Sequence, residues 1–104
     1  MITKVMNMTT MTIASLNAMV AAKDSSVTLD GTKFSITSIE QAVKLFKDYR
    51  DAEGDWECEE PHGISTMRKT DGYITIGRKV VAHISYNGRV WEGKDYVFGA
   101  EPLN

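Results

Sequence analysis

Between Cys58 and His62 lie Glu59 and Glu60, so a thiol, two carboxylates and an imidazole crowd into one short stretch. Zinc accepts each of these ligand types. One cysteine and one nearby histidine leave a closed tetrahedral site incomplete unless a second chain or distant acids finish it. The ligand count favours a half-buried cysteine and a loop histidine, and we expect no metal and no cofactor. Cys58 is also a poor nucleophile, because a thiol surrounded by acids is harder to ionise.

Two other arrangements have the residue types for chemistry. Asp51-x-Glu53-x-Asp55 resembles the opening of a calcium loop, but Gly54 comes too early for its sharp turn, and His62 stands where the bidentate Glu belongs. A hairpin through Asn87-Gly88 would set His83 opposite Glu92, as a general base with its orienting carboxylate. They fall on the face opposite the apolar set, and a solvent-facing cross-strand ion pair, which explains them without catalysis, is the favoured reading. With no phosphate-binding glycine loop, nucleophile elbow or helical His pair, we expect no catalytic residue and no enzyme.

The remaining constellations bind rather than react. Arg68, Lys69, Arg78, Lys79 and Arg89 alternate with Tyr73, Tyr86 and Trp91, offering cations for phosphates and rings for bases. Most of these cations flank turns, where Lys and Arg are commonly just solvated, and Trp91 is expected in the core. Nucleic acid therefore ranks as the second reading.

Acids occupy every second position from Asp51 to Glu59, with Glu60 following. A period of two is that of an extended chain, which would turn carboxylates to one side and Trp56 with Cys58 to the other. Glu53, Asp55, Trp56, Glu57, Glu59 and Glu60 form the candidate partner-binding set. Trp56 is its natural aromatic anchor, and the acids resemble a phosphate backbone able to occupy a basic groove on another protein. The competing reading is neutralisation by the domain's own cations, or charge used to keep an edge strand from aggregating. Residues 48–60 carry a net of −6 and residues 61–94 a net of +4, so the chain is bipolar although its total is only −2.

The 104 residues, 42% hydrophobic and 25% charged, suit one small domain spanning 1–104. Its single cysteine excludes an intramolecular disulfide framework and fits a reducing cytoplasm. Residues 5–22 are uncharged, yet six polar side chains among them break any signal-peptide core, and no stretch is apolar enough to span a bilayer. We expect a cytoplasmic protein with no membrane partner, and residues 1–11 as a frayed tail. A lone domain of this kind suits the accessory proteins of bacteriophages and mobile elements, including inhibitors of nuclease or CRISPR complexes.

Local patterns predict the elements that must position these residues. A first helix spans about 12–22, capped by Thr12, with Ile13, Leu16, Met19, Val20 and the Lys23 stem on its inner face. Asp30-Gly31 predicts a two-residue hairpin pairing Leu29 with Thr32 and Val27 with Phe34. Thr37 to Glu40 reads as a capping box that opens a helix over about 38–52, stopped by Gly54. A β-meander follows over 64–69, 73–76, 80–86, 89–91 and 96–98. Asn87-Gly88 in a two-residue turn would pair Ile84 with Trp91. The predicted fold is α+β in the order α-β-β-α-β-β-β-β, two helices on one face of an antiparallel sheet, with an edge of the meander free for a second copy.

Overall fold

The computed structural model describes residues 11–53 and 61–104. Helix α1 (Ile13–Ala22) leads into β1 (Ser25–Leu29) and β2 (Thr32–Ser35), then α2 (Ile39–Asp51). Strands β3 (Tyr73–Ile76), β4 (Lys79–Ile84) and β5 (Val90–Glu92) complete one antiparallel sheet in the order β2-β1-β3-β4-β5. This is the expected α+β architecture. Among the described residues no helix is long and apolar enough to cross a membrane.

The first hairpin follows from its turn. Asp30 at φ 55° and Gly31 at φ 77° both take the left-handed conformation that a type I′ turn requires. Val27 meets Phe34 and Leu29 meets Thr32, as predicted. β1 also pairs with β3, Val27 opposite Ile74, which carries the hairpin into the meander. Val27, Leu29, Ile74, Ala82, Ile84 and Val90 are buried together against Leu16 and Val20 of α1 and Ile39, Ala42, Phe46 and Tyr49 of α2. Both helices therefore cover one face of the sheet.

Thr12 caps α1 through a reciprocal exchange with Ser15, whose backbone N–H donates to the Thr12 hydroxyl at 3.0 Å. Its apolar face is narrower than predicted. Leu16 and Val20 are buried, but Met19 is 39% exposed and Lys23 is an exposed cap outside the core. The cap of α2 lies one residue later than predicted, because Ser38 accepts from the Gln41 N–H while Gln41 Oε1 accepts from the Thr37 N–H at 2.8 Å. Asn17 of α1 adds a cross-helix cap, its Oδ1 accepting from the Ile39 N–H at 2.7 Å. Ala52, at φ 58°, ends α2, so Asp51 belongs to the helix and not to an extended acidic run.

Several expectations for the meander are corrected. Residues 64–69 and 96–98 form turns and loops rather than strands, so three of the five meander runs are strands and the sheet has five strands. Around Asn87-Gly88 only Gly88, at φ 87°, is left-handed. The Gly88 N–H donates to the Ser85 carbonyl and the Ser85 N–H to the Arg89 carbonyl, each at 2.8 Å. This is a three-residue loop, and the extra residue slips the register by one. Ile84 pairs with Val90 and His83 with Trp91. Val90 is fully buried in the place predicted for Trp91, whose indole N–H instead donates to Ser85 Oγ at 2.9 Å on the other face. His83 and Glu92 are consequently not opposed: Glu92 pairs with Ala82, and His83 Nδ1 lies 2.8 Å from the Gly93 carbonyl.

At the β5 edge the outward backbone groups of Val90 are taken up by Leu103 and Asn104. The Leu103 N–H donates to the Val90 carbonyl at 2.7 Å, and Asn104 Oδ1 accepts from the Val90 N–H at 2.8 Å. β2, at the other side, has β1 as its one strand neighbour.

Candidate functional site

The acidic segment follows the end of α2 and precedes Pro61-His62. Of its candidate binding residues, Glu53 is exposed, while Asp55, Trp56, Glu57, Glu59 and Glu60 fall in 54–60, outside the described residues. Its two roots are held together. The His62 N–H donates to the Arg50 carbonyl at 2.6 Å, and His62 Nδ1 lies 3.0 Å from the Tyr49 carbonyl. The His62 imidazole also stacks on the Tyr49 ring, with centroids 4.3 Å apart.

Tyr86 braces the same point from the meander. Its hydroxyl donates to the His62 carbonyl at 2.8 Å, and its own carbonyl accepts from Arg50 Nη1 at 2.8 Å. The Arg50 guanidinium lies over the Tyr86 ring at 5.6 Å, a favourable cation–π arrangement. Arg50 also forks onto the neighbouring Asp51 carboxylate, and those hydrogen bonds hold the Asp51 carboxyl below its ordinary range. Two aromatic rings and one arginine thus fix where the segment starts and ends.

Beneath them Asp71, only 7% exposed, accepts three hydrogen bonds from three segments: the Asp30 N–H at 2.8 Å, the Arg68 N–H at 2.9 Å and the Tyr49 hydroxyl at 3.2 Å. A buried carboxylate is tolerated only when its lone pairs are occupied in this way. Burial, reinforced by the Asp71 and Asp30 charges, pushes the Tyr49 phenol up to about 12. Asp71 reads in sequence as a turn residue before Gly72, and nothing in its local pattern marks it as the polar hub. The aspartate-glycine pair is its only signal.

The predicted basic set is not gathered in one place. Arg68 pairs with Asp30 at 3.1 Å, Lys69 approaches Asp95 at 3.9 Å, and Arg89 donates to the Asn104 carbonyl at 2.7 Å. Arg78 and Lys79 sit at the β3–β4 turn, at the opposite end of the sheet from Arg68 and Lys69. Asp48 and Asp51, by contrast, are engaged by α2's own Lys44 and Arg50. Among the described residues, none of the five meander cations forms an ion pair with Asp48, Asp51 or Glu53.

His62 and His83 do not converge on one centre, since His62 packs against the end of α2 and His83 stands on the sheet face away from the helices. Among the described residues no cluster of three or more His, Cys, Asp and Glu is placed to hold a metal. Cys58, the thiol of the candidate zinc ligands, lies outside them. A groove of about 530 Å³ lies elsewhere, between α1, α2 and Asn104. Family models, curated proteins and solved structures give no match to this chain.

Proposed function

We propose that this protein is a small non-catalytic binding module whose acidic segment, with Trp56 as anchor, docks on a basic surface of another protein. The observation that carries this reading is the closure of the segment's roots by the Arg50 carbonyl and the His62 N–H at 2.6 Å. A segment tied at its base to a rigid helix loses less freedom on binding than a free tail, so more of its contact energy appears as affinity.

The charge distribution supports the same reading. Of the meander cations, Arg68, Lys69 and Arg89 engage Asp30, Asp95 and the Asn104 carbonyl, and none of the five pairs with the described acids of residues 48–53. Asp48 and Asp51 are paired within α2, whereas Glu53 makes no ion pair among the described residues, and the net of −6 over residues 48–60 favours a cationic partner and steers its approach. The acceptor surface is the nucleic-acid groove of a cytoplasmic nuclease or nucleic-acid-binding complex, CRISPR-type effectors included, and the consequence of docking is inhibition by occupancy.

Affinity capture from the native cell lysate tests this reading with three proteins: the wild type, Glu57→Lys with Glu59→Lys, and Trp56→Ala. The wild type is expected to retain partners that both variants lose. Recovery of the same partners by all three would overturn it.

A further inference from the structure

We propose that the helix-free face of the sheet binds single-stranded nucleic acid, by stacking bases on a row of rings that crosses three strands. The binding residues differ from those of the acidic segment. Register builds the row: Tyr73 is opposite His83, and His83 is opposite Trp91. Extending the β1–β3 register places Thr28 beside Tyr73, and Thr28 pairs with Lys33. All five positions alternate with core residues such as Val27, Ile74, Ile84 and Val90, so they lie on the face opposite α1 and α2.

The three rings are partly exposed and lie outside the core cluster. Tyr96 extends the row past the sheet edge, edge-on to Trp91 at 5.4 Å and 59% exposed. Beside the rings the neighbouring row is Ser35, Ser26, Thr75 and Val80, of which Thr75 is only 4% exposed. A β-bulge at Val81 preserves this arrangement, since the extra residue packs against the core and His83 stays on the open face.

Charge selects the occupant. Neither row contains an Asp or Glu. Lys33 stands at one end of the aromatic row and Arg78 occupies the turn beside the row of small residues, with Lys79, opposite the core residue Ile76, on the helix side of the sheet. These three cations are exposed and make no ion pair among the described residues. Rows that contain no carboxylate, bordered by the unpaired Lys33 and Arg78, suit a polyanion that also carries flat π faces. A duplex keeps its bases stacked internally, so the single strand is the form this row can read.

Fluorescence anisotropy with labelled oligo(dT), oligo(U) and a duplex of equal length tests the proposal. At low salt the wild type is expected to bind a single strand in the micromolar range and the duplex more weakly. Tyr73→Ala and Trp91→Ala should each weaken binding roughly ten-fold or more. Trp91→Phe, which keeps a ring, should restore most of it. Arg78→Ala with Lys79→Ala should lower affinity and flatten its salt dependence. Glu57→Lys with Glu59→Lys should not weaken oligonucleotide binding, so failure of this proposal and failure of the acidic-segment reading remain distinguishable. Circular dichroism identifies any variant that fails to fold, and Trp91→Phe then carries the comparison with the charge variants. No oligonucleotide binding by the folded wild type overturns the proposal. Equal binding of duplex and single strand, or unaltered affinity in folded Tyr73→Ala and Trp91→Ala, does so too.

Discussion

The Arg50 carbonyl accepts a hydrogen bond from the His62 N–H at 2.6 Å, so the chain that leaves α2 comes back to the same turn of that helix. That bond fixes both ends of the acidic segment at one place on the molecule. The ring of Tyr49 against His62 is the foundation beneath it.

Replacing His62 by Ala should loosen that foundation. The variant loses the ring stack and the contact of Nδ1 with the Tyr49 carbonyl, which we expect to cost about 1–2 kcal/mol. Urea unfolding monitored by circular dichroism measures it. The contacts His62 makes among the described residues are the Tyr49 stack and hydrogen bonds, and a chelator is expected to leave the wild-type midpoint unchanged.

The Tyr49 hydroxyl and Asp71 predict an alkaline signature. The phenol's folded pKa, raised to about 12 from an ordinary 10, means that the un-ionised form stabilises the fold. That contribution is complete below about pH 10 and is lost as pH rises toward 12. Tyr49→Phe should be less stable at neutral pH by about 1 kcal/mol, yet lose less stability than the wild type between pH 10 and 12. Asp71→Ala, which strands three donors, should cost about 3 kcal/mol. Ultraviolet titration and denaturant melts at several pH values check both.

Two glycines at positive φ should respond differently to Ala. At Gly72, φ 92°, a Cβ would meet the Ile84 carbonyl oxygen at 2.6 Å and the Phe46 ring at 3.2 Å. Gly77, φ 64°, has nothing within 4 Å of such a Cβ. Gly77→Ala should cost about 1 kcal/mol from the left-handed backbone alone, and Gly72→Ala at least about 2 kcal/mol more from the clash with backbone. Equal melting temperatures for the two variants would contradict the close packing of β3 under β4.

Much of this fold is legible residue by residue. Asp30-Gly31 specifies its hairpin because both central positions must be left-handed, and the α1 cap and the apolar stripe of α2 announce themselves. What escapes a sequence reading depends on choices between near-equal local solutions. Thr37 and Ser38 are both competent caps, with Glu40 and Gln41 each three residues on, and packing selects the second pair. Asn87-Gly88 suits a two-residue or a three-residue loop; burying Val90 while giving the Trp91 N–H a partner selects the longer. That single slip turns Trp91 from a core residue into part of an exposed aromatic row, a face that residue spacing alone does not reveal. Asp71 is hidden for another reason, since its three donors come from positions scattered along the chain.

Mutual exclusion is the most direct test of the acidic segment as a stand-in for a phosphate backbone. A partner captured by the wild type but not by Glu57→Lys with Glu59→Lys is loaded with a labelled nucleic acid, and this protein is titrated in while anisotropy is followed. Displacement of the labelled strand, steeply weakened by added salt and absent with the charge-reversed variant, is the predicted result. A ternary complex in which partner, nucleic acid and this protein are all retained, with the partner's groove still occupied by the labelled strand, would contradict it.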